Sequence, residues 1–132
     1  MIQKDLIQRL VEDIARFLAK ALKLEGESKI AYIQQYYQTT LEIEVDFWES
    51  LTKDNIIDQL ETQKGFNIHQ LELIAEVLAQ EGNTFLQLQE IEKGKAQIQK
   101  ALMLFHYIDN QQGLFSLERQ AKIKQLETLL DK

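Results

Sequence analysis

The chain has 132 residues, 45% of them hydrophobic and 27% charged, with a formal net charge of −6. That length suits one domain of ~100–200 residues, and the composition excludes a disordered chain. The acidic balance excludes a general nucleic-acid binder, and the lack of cysteine excludes disulfides and thiolate chemistry.

Proline is also absent, so nothing interrupts a helix interior. The first expected helix runs from Ile2 to about Leu24. Its polar stripe is Asp5, Arg9, Glu12, Arg16, Lys20 and Lys23, with Asp5–Arg9 and Glu12–Arg16 spaced for i,i+4 pairing. The rest of its surface is apolar: Leu6, Ile7, Leu10, Val11, Ile14, Phe17, Leu18, Ala21 and Leu22. An arc that wide exceeds what one neighbouring helix covers, so the helix is wedged between two others or shared with a second copy of the chain. Charges this dense near the N-terminus leave no signal-peptide core, and no apolar run is long enough to cross a bilayer. A cytoplasmic protein without membrane contact is expected.

Gly26 breaks the chain before a second helix through Ile30, Ile33, Tyr37 and Leu41, and Tyr32 and Tyr36 form an i,i+4 pair on an adjoining face. From Glu42 to Ser50 the periodicity fails and an irregular link is expected, packed by Ile43, Val45, Phe47 and Trp48. The stretch from Glu42 to Glu61 is acidic, with Lys53 as its one cation. It suits either a basic partner or plain solvation. Thr52 is placed to cap a short helix carrying Ile56, Ile57 and Leu60, with Gly65 beyond its end. Asn67 caps a longer helix through Leu71, Ile74, Val77, Leu78, Phe85 and Leu88, with Gly82 inside it. A further helix spans Ile91 to Asp109 and closes at Gly113. Ser116 caps the last, which packs through Leu117, Ala121, Ile123, Leu126 and Leu130.

Leu78, Gly82, Phe85, Gly94, Ile98 and Ala101 alternate large and small as two closely packed antiparallel helices require. The window from Ala75 to Ile108 resembles one tetratricopeptide repeat on those positions. His106 stands where the usual closing proline is missing, and Gln89 holds the turn position commonly filled by glycine. An earlier hairpin is a degenerate copy through Ala15, Ala19, Leu22, Gly26 and Ala31, with Gln35 and Gln38 at packing positions. The two ends, Met1 to Arg9 and Ser116 to Ile123, resemble those of a family of small bacterial proteins with a tetratricopeptide-like middle and no assigned function. That resemblance implies a bacterial cytoplasmic protein and carries no known site.

The expected fold is therefore all-α: antiparallel, tetratricopeptide-like hairpins, five to six helices in one domain. It divides into an N-terminal hairpin (1–41), an acidic connector with a short helix (42–66), the repeat-like hairpin (67–110) and a C-terminal packing helix (114–132).

No serine sits in a nucleophile turn and no glycine-rich loop cradles phosphate, so no catalytic residue or cofactor is expected. His69, Glu72 and Glu76 share one helix face, and His106 precedes Asp109 by three residues. Together they define the catalytic alternative, a metal-dependent helical-bundle enzyme. The leading reading is a non-catalytic module that binds another protein or peptide. Its candidate contacts are a polar stripe of Glu76, Gln80, Asn83 and Gln87, and an aromatic cluster of Tyr32, Tyr36 and Trp48 with Phe47. A homodimer built on the first helix is the structural alternative.

Overall fold

The helical periodicity is realised in seven α-helices, with no strand, among the residues that this computed structural model describes, 2–112 and 116–131. Side chains are described for residues 8–111 and 116–131. The helices are α1 (Ile2–Ala21), α2 (Gly26–Thr39), α3 (Val45–Ser50), α4 (Ile56–Asp58), α5 (Ile68–Gln87), α6 (Ile91–Gln112) and α7 (Leu117–Leu130). α4 runs on into a wider turn, Gln59–Gln63, closed by the Lys64 N–H donating to the Gln59 carbonyl at 3.2 Å.

Several boundaries follow local chemistry. Gly26 takes φ +57°, which supplies the sharp turn between α1 and α2. Asn67 Oδ1 accepts from the Gln70 N–H at 2.9 Å while Gln70 Oε1 accepts from the Asn67 N–H at 2.8 Å, a reciprocal cap at the start of α5. Ser116 Oγ accepts from the Arg119 N–H at 3.2 Å and starts α7. Thr52 caps the turn that leads into α4: its Oγ1 accepts from the Asn55 N–H at 3.1 Å while Asn55 Oδ1 accepts from the Thr52 N–H at 2.7 Å, the same reciprocal pattern as at Asn67. Gly113 lies outside the described residues.

The segment expected as an irregular link contains a helix, α3. Six residues hold fewer than two turns, too few for a 3.6-residue period to show against the local alternation. Burial of Ile43, Trp48 and Leu51 fixes it instead.

The centre is the α5–α6 hairpin. Leu71, Ile74, Leu78, Ile98, Ala101 and Phe105 are all buried, and each large side chain there contributes ~1.5–3 kcal/mol. Gly82 and Gly94 meet at the crossing, as the large–small alternation requires. A Cβ on Gly82 would lie 2.7 Å from Ile98 Cγ1 and 2.9 Å from the Gly94 carbonyl oxygen. A Cβ on Gly94 would lie 2.7 Å from Leu86 and 2.9 Å from the Gly82 carbonyl oxygen.

α1 and α2 lie against α5, and α7 against α6. In α1, Phe17 and Ala21 are buried, whereas Val11 and, just past the helix end, Leu22 are 60% and 67% exposed. The neighbouring helices thus cover one side of the broad apolar arc and leave the other open. The side chains of Leu6 and Ile7 fall outside the described residues. Arg16 pairs with Asp13 at 3.3 Å, not with Glu12.

α7 departs from the expected packing. Leu117 is 76% exposed and Ala121 is also exposed, while Ile123 and Leu126 are buried. The inward stripe is Arg119, Ile123, Leu126 and Leu130, spaced i, i+4, i+7, i+11, and it begins on a charged residue. Arg119 is 7% exposed and reaches Asp109 Oδ1 at 2.6 Å and Glu72 Oε1 at 3.4 Å, tying α7 to both helices of the hairpin.

Gly82→Ala gains about 1 kcal/mol of helix propensity but forces a methyl into Ile98 and the α6 backbone, an overpacking that costs roughly 1–3 kcal/mol. The expected result is a net loss of up to about 2 kcal/mol in urea denaturation. A stabilising change would mean that the two backbones do not cross there.

Candidate functional site

Glu81 occupies an inward position of α5. Leu71, Ile74, Leu78, Glu81 and Phe85 fall on one stripe with alternating spacings of three and four, so an acid stands where the core wants an apolar group. It is 5% exposed. Its Oε1 accepts from the Trp48 indole N–H at 2.9 Å and from the Gln97 side-chain amide. Gln97 Oε1 in turn accepts from Lys100 Nζ at 2.6 Å. Gln97 and Lys100 are 8% and 7% exposed, and both project from α6. Trp48, on α3, stacks on Tyr37 of α2 with ring centroids 4.1 Å apart and planes 11° apart.

This network floors a groove of about 510 Å³ between α2, α3, α5 and α6. The volume falls within the ~300–1,000 Å³ common for ligand sites. Ile30, Tyr37, Trp48 and Phe85 supply apolar wall, and Glu27, Glu49, Glu90, Lys93 and Lys100 supply charge. Glu90 pairs with Lys93 at 3.4 Å. Both hydrogen bonds to Glu81 fall on Oε1, which leaves Oε2 without one at the groove floor.

Burial pushes the Glu81 carboxyl above the ordinary 4.5, opposed by the hydrogen bonds from Gln97 and Trp48 and by the charge of Lys100. Burial likewise lowers the Lys100 ammonium, opposed by Glu81. The Tyr37 hydroxyl is raised by burial and then by the charges of Glu81 and Glu49. A raised acid and a lowered amine joined through one amide can hold charge or move a proton, and such shifts gather at working sites.

The residues singled out in the sequence are distributed differently. Trp48 is 2% exposed, so it floors the groove and offers no surface of its own. It does not cluster with Tyr32 and Tyr36. Those two pack with Phe17 of α1, at centroid distances of 5.7 and 4.6 Å, beside a cleft of about 340 Å³ that Asp13, Arg16 and Lys20 also line. Tyr36 is pushed up to about 12 by burial and then by Asp13 and Tyr32, against the pull of Arg16. Phe47 lies apart, under Lys64 at 4.6 Å. The split has a simple cause: one step along α2, from Tyr36 to Tyr37, turns the side chain by about 100°, from α1 toward α3.

The polar stripe is not open along its length. Glu76 lies beneath α7, with Lys122 at 3.4 Å, and burial raises its carboxyl. Gln80 and Asn83 are half-buried, and Gln87 is exposed. Among the described residues no group of three or more His, Asp or Glu side chains is placed to hold a metal ion. Arg119 holds Glu72 and Asp109, and His106 is exposed. No helix among the described residues is long and apolar enough to cross a membrane. Comparison with family models, curated proteins and solved structures found no match to this chain.

The raised carboxyls give a pH dependence. The folded chain holds the Glu81 and Glu76 protons to higher pH than the unfolded chain. Their stabilising contribution is complete below 4.5 and is lost as pH rises through the folded values. Lys100, shifted down, acts with the opposite sign nearer the lysine range. Glu81→Gln is therefore expected to flatten the decline of the urea midpoint as pH rises above 4.5. An unchanged slope would mean that Glu81 titrates normally.

Proposed function

We propose that the protein is a non-catalytic helical interaction module that seats a segment of another protein in the groove between α2, α3, α5 and α6. One observation carries this reading: a desolvated carboxylate with one oxygen lacking a hydrogen bond forms the floor of an open, partly apolar groove. Concave sites with apolar walls and a few convergent polar groups are the usual form of a binding site. The tetratricopeptide-like character of the α5–α6 hairpin, with its backbones in contact at Gly82 and Gly94, fits a rigid wall for such a groove.

Ala96 is exposed on the groove wall, so a large residue there blocks the space without entering the core. Peptides selected from a displayed random library on the purified protein should lose at least tenfold in affinity on Ala96→Trp and keep it on Gln87→Ala. Selected peptides that bind Ala96→Trp equally well would defeat the groove.

A second reading has its own support in the open side of α1, where Val11 and Leu22 are 60% and 67% exposed. That face suits self-association, since closed twofold pairs are the commonest oligomers. Sedimentation of a concentrated sample should then show a dimer, with Val11→Glu monomeric and equally helical. A strictly monomeric wild type would exclude this reading.

A further inference from the structure

We infer that the groove selects a lysine side chain from the incoming segment, with its ammonium seated on Glu81 Oε2. This rests on the reading of the groove as a peptide site and adds the chemistry of what it recognises.

The charge left in the groove is negative. Lys93 is engaged by Glu90 at 3.4 Å, which leaves Glu27, Glu49 and Glu81 facing Lys100. Lys100 sits close enough to attract Glu81 yet directs its hydrogen bond to Gln97 Oε1, and no Glu81–Lys100 pair within 4.0 Å is formed. The donors that do reach Glu81, an indole and an amide, are neutral. They fix the carboxylate without cancelling its charge.

Geometry separates lysine from arginine. A guanidinium binds best as a fork across both carboxylate oxygens. Here Oε1 already takes two donors, so one oxygen remains. An ammonium, a compact point charge on a flexible four-carbon stem, needs just one acceptor. Ile30 and Phe85 line the same groove and offer apolar surface for that stem.

Trp48 is the only tryptophan, and its indole N–H bonds the same carboxylate, so its single side-chain N–H resonance reports on the site. The probes are acetylated, amidated pentapeptides with leucines around a central lysine, arginine or norleucine. The lysine peptide is expected to shift the Trp48 resonance saturably and to bind at least tenfold tighter than the norleucine peptide, with arginine intermediate. Glu81→Gln keeps an acceptor for both neutral donors and so keeps the fold, checked by circular dichroism, yet should abolish the lysine preference. Lys100→Gln removes the repelling cation and should tighten lysine binding several-fold. If norleucine binds as well as lysine, the inference falls while the peptide groove stands. If no peptide shifts the resonance, both fall.

Discussion

The contact between the α5 and α6 backbones at Gly82 and Gly94 sets the geometry of everything around it. With no side chain at either position, each carbonyl oxygen lies just 2.9 Å from where the other residue's Cβ would be. Helices that approach this closely lock in register, because any slide drives Ile98 or Leu86 into the opposing backbone. Two glycines inside helices cost about 1 kcal/mol each in propensity. Dispersion along the tight interface and the burial of Leu78, Ile98 and Ala101 offset that cost. The register then places Glu81, next to Gly82, opposite Gln97, next to Ile98. A polar pair one step from the tightest point of a hairpin has almost no freedom to rearrange. The groove floor inherits its rigidity from the glycine contact.

Two buried polar systems grow from this hairpin, and they do different work. Arg119 joins Glu72 and Asp109 with side chains that are 6%, 23% and 19% exposed, and Gln120 adds a hydrogen bond to Asp109. Opposite charges touch there, and the result is docking of α7. At Glu81 the touching groups are neutral and the nearest cation stands off behind an amide. Burying a charge without an ionic partner costs more than burying a paired one. The α7 clamp is therefore a solution for folding. The Glu81 carboxyl, whose bonded partners are neutral, keeps more of its desolvation cost.

Apolar periodicity made the all-helical architecture, the hairpin and the Asn67 and Ser116 caps legible in the sequence. The crossing at Gly82 and Gly94 was legible too, since only close backbones call for glycine within long helices. Three features were hidden, and for related reasons. α3 is shorter than the period that would reveal it. The phase of α7 is masked because its inward stripe starts at Arg119, which a hydropathy reading assigns to solvent. Glu81, Gln97 and Lys100 were missed on the same assumption, although Glu81 interrupts the stripe of Leu71, Ile74, Leu78 and Phe85. An acid in register with a core stripe is the sequence signal that leads to the groove. Trp48 was legible as a packing residue of the link after α2, but its partner was not, because Glu81 lies 33 residues away.

The unequal treatment of the two Glu81 oxygens is the strongest reason to read the groove as a recognition site and not as a flaw in the core. If burial of the acid served packing alone, the least costly arrangement would bring the Lys100 ammonium onto the carboxylate, since both already share the floor and each gains from the other's charge. Instead Gln97 stands between them, donating to one and accepting from the other. An amide in that position transmits orientation but carries no charge, so the acid keeps its field and the amine is kept from quenching it. The same spacing leaves Oε2 without a hydrogen bond in a groove that Ile30 and Phe85 also line, and a low local dielectric there strengthens attraction for a cation. Glu27 and Glu49, at the wall of the same groove, extend that field outward. A charge held in place by neutral donors, open on one side and walled by apolar surface, is the feature on which the proposed docking of a lysine rests.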